Sequence, residues 1–157
     1  MPPLPDPMRA LSVRPPWASL LVISQKRFEV RTWQPREFGR ILIHASASKA
    51  QGIHKLRENR LLQKALVKAG LEDEAAWPQS AIVGVVEFGR IWAPRERRPK
   101  MSELQRYFCG PITGQYLWEV RRCGTFAAPV PADGKLGFSE PSASVWARVA
   151  EQLLALL

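Results

Sequence analysis

The run Ala81-Ile82-Val83-Gly84-Val85-Val86-Glu87-Phe88 constrains this chain more than any other segment. It is apolar and rich in β-branched residues, the composition of a central strand. Further strand signals accompany it. Arg27–Trp33 alternates with period two, placing Phe28 and Val30 on one face and Arg27, Glu29, Arg31 and Trp33 on the other. Arg40–Ala45 reads as a buried strand, and Gln115–Val120 and a stretch around Phe126 read as two more. Gln34–Gly39 is a turn or loop, punctuated by Pro35 and Gly39. Pro129-Val130-Pro131 and Asp133-Gly134 mark turns before a short strand at Leu136–Phe138.

Helical segments interrupt these strands. Trp17–Val22 is a short helix opened by Pro15-Pro16, because Pro is tolerated in a first turn. Residues 50–69 predict a longer helix with an apolar stripe of Leu62, Ala65, Leu66 and Ala69, stopped by Gly70. Residues 142–156 predict an amphipathic closing helix with Val145, Trp146, Val149, Leu153 and Leu156 inward. Residues 1–9 read as a flexible Pro-rich arm and residues 93–100 as a basic Pro-rich loop. The 157 residues fit one domain, spanning residues 10–157. At least five short strands with helices inserted between them predict an α+β fold, a small mixed β-barrel with flanking α-helices.

Composition removes several classes of protein. With 46% hydrophobic and 24% charged residues, a chain of this size can bury a core without a metal or a disulfide. No apolar run approaches the ~18 residues of a membrane-spanning helix. No charged segment followed by an apolar run marks a leader at the N-terminus, so a cytoplasmic protein is expected. Cys109 and Cys123 lie far apart without a CxxC, and His44 and His54 are isolated, so neither a metal nor any other cofactor is expected. No phosphate-binding glycine loop, GxSxG or HExxH occurs.

Charge points to a partner. Lys and Arg number 23 against 14 Asp and Glu, for a net +9. Such an excess favours a polyanion, nucleic acid before membrane. The blocks 26–40, 49–68 and 90–100 together carry +12, leaving −3 for the rest of the chain. Charge gathered in this way is expected to converge on one face. Arg57, Arg60, Lys64 and Lys68, spaced by three, four and four, line one face of the 50–69 helix, either as a solvated surface or as a phosphate-binding stripe.

The most informative stretch is Leu11-Ser12-Val13-Arg14-Pro15-Pro16-Trp17-Ala18-Ser19-Leu20-Leu21, followed by Ser24-Gln25-Lys26-Arg27-Phe28-Glu29-Val30-Arg31-Thr32-Trp33. It resembles the ASCH family, named for homology to the activating signal cointegrator, with its signature G-x-K-x-x-E-x-R. Lys26, Glu29 and Arg31 match the K, E and R, while Ser24 replaces the glycine, and Pro15-Pro16 stands where Gln-Pro is common. The likeness continues through Gly39–Ser46, Ile82–Glu87, Gln115–Trp118 and Pro129–Phe138, covering residues 10–138. It implies a PUA-like β-barrel with a cleft, and nucleic acid as the ligand.

Residue chemistry agrees with that implication. Glu29 and Arg31, two apart on a strand, share a face, where a carboxylate can hold a guanidinium as a fixed fork for phosphate or a base edge. Lys26, just before the strand, is expected to reach the same mouth as an exposed charge. Trp33 and Trp17 can offer flat faces for base stacking, although Trp17, in an apolar helix, reads more readily as core. Tyr116 is a further nucleic-acid-binding candidate, though it shares its strand face with Trp118 and one of the two belongs in the core. Glu87 lies in an apolar strand and needs either a cationic partner, Lys26 or Arg31, or solvent at a barrel edge.

Three functions stay open on these grounds. The first is binding of RNA, favoured over DNA, as single strands or unstacked bases. The second is a metal-independent hydrolase acting on RNA or on an acylated nucleoside, with Lys26 and Glu29 as base and acid. In the deacylating ASCH subgroup a Thr stands where this chain has Glu29, so that nucleophile is missing. The third is docking of an acidic protein.

Overall fold

A computed structural model describes residues 6–36 and 39–156. Its strands are β1 (Ala10–Val13), β2 (Phe28–Arg31), β3 (Arg40–Ala45), β4 (Ala81–Trp92), β5 (Tyr116–Pro131) and β6 (Phe138–Ser139). Its helices are α1 (Trp17–Val22), α2 (Ile53–Leu56), α3 (Arg60–Lys68), α4 (Glu103–Cys109) and α5 (Ala143–Ala155). The strands form one sheet in the order β2-β5-β4-β3-β1-β6. Only β1 and β3 run parallel; every other neighbouring pair is antiparallel.

As its composition requires, β4 is central, paired to β3 on one side and β5 on the other. Its ladders slip at Ile82/Gly84, Glu87/Phe88 and Phe88/Arg90, and each bulge adds bend and twist. Gly84 sits where the curled layers meet: a Cβ there would lie 2.2 Å from the Gly124 carbonyl and 2.9 Å from Val22. The sheet therefore curls into a half-barrel with α1 against its inner face, around Leu11, Ile43, Val86, Phe88 and Trp118.

A second apolar cluster covers the outer face, where Val149 and Leu153 of α5 meet Ala10, Leu42, Ile82 and Phe126. Met8 is buried in this cluster and the Arg9 carbonyl accepts from Leu42 N at 2.9 Å, so the end of the expected arm packs on the sheet. Residues 1–5 lie outside the described residues. A third cluster joins Leu20 of α1, Ile53, Leu62, Leu66, Trp77 and Phe108 under the helical layer.

The sheet's two edges meet across a seam without a ladder. β6 pairs only with Ala10 and Leu11 of β1. At the next residue the Ser12 carbonyl is free, and Arg31 of β2 donates to it at 2.7 Å. Just after β2, the Trp33 ring packs edge-on against Phe138 of β6 at 5.2 Å and against Trp118 at 5.0 Å. The barrel is thus a half-barrel whose open side is bridged by side chains.

Several expectations need correction. The 50–69 helix is two helices, because Asn59 turns extended and its side chain accepts from Leu61 N and Leu62 N, capping a new start. Gln115–Val120 and the Phe126 stretch belong to one strand, β5, which also absorbs Pro129-Val130-Pro131. β1 and α4 carry too few patterned residues to be foreseen. Leu156 is half-exposed rather than inward, its tip lying over Gly124. The turn expected at Gln34–Gly39 falls partly on Glu37 and Phe38, outside the described residues.

Candidate functional site

A cleft of about 840 Å³ opens at the C-terminal ends of β1 and β3, bounded by β2 and by the loop Asp133–Gly137. Glu29 and Arg31 line it, as their two-residue spacing requires. Arg31 Nε donates to Glu29 Oε2 at 2.9 Å and Nη2 lies 2.8 Å from the same oxygen. Nη2 also spans the seam to the Ser12 carbonyl. Two of the three guanidinium nitrogens are held, which leaves Nη1 for the cleft.

Glu29 is itself held from below. Its Oε1 accepts from Val30 N at 3.2 Å and lies 3.6 Å from Lys26 Nζ. Lys26 is only 3% exposed and also donates to the Phe28 carbonyl. The expectation of an exposed Lys26 over the cleft is therefore overturned: the ammonium lies under Glu29 and does not line the opening. Burial is imposed by α4. Gln105 accepts from Arg27 N at 2.8 Å and donates to the Gln25 carbonyl at 2.7 Å, clamping the backbone on both sides of Lys26. Burial also pushes the Cys109 thiol pKa up, with Lys26 nearby acting against that rise and Glu29 adding to it.

Ser24, at the position of the motif glycine, adopts φ +63° and so keeps the left-handed turn that glycine takes without strain. Its hydroxyl accepts from Arg27 Nη1.

The other candidates separate. Trp33 is a seam residue, with its ring engaged by Trp118 and Phe138. Tyr116 packs against the inner core, and neither it nor Trp33 lines the cleft. Trp17, expected in the core, does line the cleft while its ring meets Phe108 at 5.6 Å. Arg57 leaves the helical stripe: it donates to Glu74 and to the Glu72 carbonyl and lies over the Trp77 ring. Arg60, Lys64 and Lys68 remain exposed along α3. Glu87 pairs with neither Lys26 nor Arg31 but faces solvent near Arg122, at 3.8 Å.

The three basic blocks do not converge on the cleft, since Arg31 alone among their cations lines it. Lys26, Arg27, Arg57, Arg90 and Arg98 are bonded within the fold, and Lys49 pairs with Glu74. Lys49 and Arg57 hold the Glu74 carboxyl below its usual range, and Arg90 and Ala93 N do the same for Glu96. The cleft takes its other cations from Arg14 and Lys135, outside the blocks. Ser12, His44, Ser46, Ser48 and Asp133 complete its polar lining. Isolated polar residues of this kind carry no sequence pattern, and only the fold gathers them. Among the described residues no cluster of His, Cys, Asp and Glu could hold a metal, and no helix is long and apolar enough to cross a membrane.

A model of the ASCH domain matches residues 11–123, a span that runs from Leu11 in β1 into the first half of β5 and includes the Lys26–Arg31 motif. The chain belongs to the ASCH family. Among solved structures, an ASCH protein from Zymomonas mobilis carrying a Tyr-to-Phe substitution aligns with TM-score 0.50 at 12% identity, over 93% of this chain and 98% of that one. The unsubstituted Zymomonas mobilis ASCH protein aligns with TM-score 0.48 at 13% identity, over 95% and 94%. At 12% identity, the first of these likenesses is one of fold, the PUA-like half-barrel. Curated proteins give no match.

Proposed function

We propose that this ASCH protein binds single-stranded RNA, with a base or a strand end in the cleft beside Arg31 and phosphates on Arg14 and Lys135. The observation that carries this reading is the held guanidinium. Glu29 and the Ser12 carbonyl immobilise Arg31, so it meets a base edge or phosphate with little further loss of side-chain freedom. A cleft of about 840 Å³ suits an unstacked nucleotide better than a duplex groove. Hydroxyls at Ser46 and Ser48 and the Asp133 carboxylate can bond a ribose 2′-hydroxyl, which supports RNA over DNA. Exposed Arg60, Lys64 and Lys68 on α3 add a sequence-independent attraction for the backbone. Lys26 acts in this scheme as a positioning residue, through Glu29.

Fluorescence anisotropy with a short unstructured RNA, the DNA of the same sequence and an RNA duplex tests the reading. RNA single strands should bind tightest, and Arg31→Gln should weaken them at least about tenfold, roughly 1.4 kcal/mol. Wild-type affinity in Arg31→Gln and in an Arg14→Gln/Lys135→Gln double variant would place the ligand elsewhere.

A further inference from the structure

Ser12 and His44, direct partners across the parallel β1–β3 ladder, form a hydrogen-bonded pair on the wall of the cleft. His44 is 3% exposed, and its Nε2 lies 2.6 Å from the Ala132 carbonyl. A carbonyl only accepts, so Nε2 carries the ring proton of the neutral imidazole. Nδ1 is then the lone-pair nitrogen, and it lies 3.0 Å from Ser12 Oγ, so the hydroxyl donates to it. This is the arrangement of an activated nucleophile: a hydroxyl, a base that can take its proton, and a third group that holds the base in one tautomer.

Two further features fit that arrangement. Gly134 lies directly over the pair: a Cβ there would sit 2.8 Å from Ser12 Oγ and 2.6 Å from His44 Cε1. Glycine at this point lets the loop cover the imidazole while Ser12 still lines the opening. Arg31 Nη2 is bonded to the Ser12 carbonyl, so a fixed cation lines the same cleft, available to the negative charge that would develop on the acyl oxygen of a substrate.

We propose that Ser12 is an acyl-accepting nucleophile with His44 as its base, acting on carboxylic esters of phosphate-bearing alcohols. Ser12 Oγ bonds to the acyl carbon as the bond from that carbon to the alcohol oxygen breaks. The hydroxyl proton passes to His44 Nδ1 and then to the departing alkoxide. Water repeats the sequence on the acyl-serine, giving the carboxylic acid and restoring Ser12 and neutral His44. Arg14 and Lys135 on the rim supply the preference for an anionic alcohol. The inference is independent of RNA affinity, since a protein can bind RNA with or without a reactive Ser12.

The experiment is labelling with diisopropyl fluorophosphate, followed by peptide mapping, on the native protein and on the same protein unfolded in urea. The native protein should be modified at Ser12 at least about tenfold faster than at any other serine, and that preference should vanish on unfolding. Ser12→Ala should lose the adduct, and His44→Asn should slow it at least about tenfold. Because His44 is buried and its variant can fail to fold, the wild-type comparison decides alone: no preference for Ser12 in the native protein overturns the proposal. Hydrolysis of 3′-O-acetyl-AMP should exceed that of 3′-O-acetyladenosine, the same ester without the phosphate, at least about tenfold in kcat/KM. A smaller ratio would overturn the assignment of an anionic alcohol.

Discussion

At Lys26 an ammonium is buried with its charge met by Glu29 and a backbone carbonyl, and Glu29 in turn holds Arg31. Removing one member of a buried pair leaves its partner uncompensated, a cost of about 3 kcal/mol. Lys26→Ala should therefore lower the melting temperature by about 6–12 °C for a domain of this size, and thermal unfolding followed by circular dichroism checks it. An unchanged melting curve would mean that the buried pair contributes no net stability. Glu74 offers a test in pH. Lys49 and Arg57 depress its carboxyl below the ordinary 4.5, so the stability it adds is present above that value and lost as pH falls through the lower folded value. Glu74→Gln should melt below wild type at pH 7, and the gap between the two should shrink as pH falls below 4.5. A gap that stays constant throughout acid titration would assign the effect to something other than the carboxylate charge. Lys26, Glu29 and Arg31 were legible as a unit because the motif and the strand spacing place them together. The depth of Lys26 was not, because it depends on Gln105, which lies far along the chain on α4.

Among the elements, α1 and β3 have the bounds that their residues predicted, since each is a short uninterrupted pattern with clear punctuation. The 50–69 segment reads as one helix because Leu62, Ala65, Leu66 and Ala69 hold helical spacing, Arg57, Arg60, Lys64 and Lys68 do the same, and Gly70 marks a stop. The break comes from Asn59, whose side-chain oxygen accepts from Leu61 N and Leu62 N at the start of α3. Asn59→Ala should cost about 1 kcal/mol, roughly 2–4 °C in melting temperature, and leave RNA affinity as it is. Lys64 and Lys68 stand on the face of α3 opposite its buried Leu62, Ala65 and Leu66. Reversing both to Glu should weaken all oligonucleotides about equally and flatten the salt dependence. Unchanged binding in anisotropy titrations would leave that helix face merely solvated. The seam residues Trp33 and Phe138 were not legible as partners, because β2 and β6 lie at opposite edges of the sheet and only its curl brings them together.

The whole molecule carries +9, most of it outside the cleft, so long-range attraction and local recognition reside in different residues. If about six phosphates are neutralised on a single strand, affinity should fall roughly 300-fold between 50 and 200 mM salt. Anisotropy titrations across that range measure it, and a flat response would remove electrostatics as the main contribution. The chain by itself determined the α+β class, the central place of β4, the family and the shared strand face of Glu29 and Arg31. Each of these rests on local periodicity or on contiguous motif residues, whose physics is complete within a few positions. Tertiary structure alone decided which charges face the cleft, where Lys26 is buried, and that Ser12 meets His44. Those outcomes depend on bulges that curl the sheet and on side chains that bridge its open edge. Such interactions join residues distant in sequence, and no local pattern encodes them.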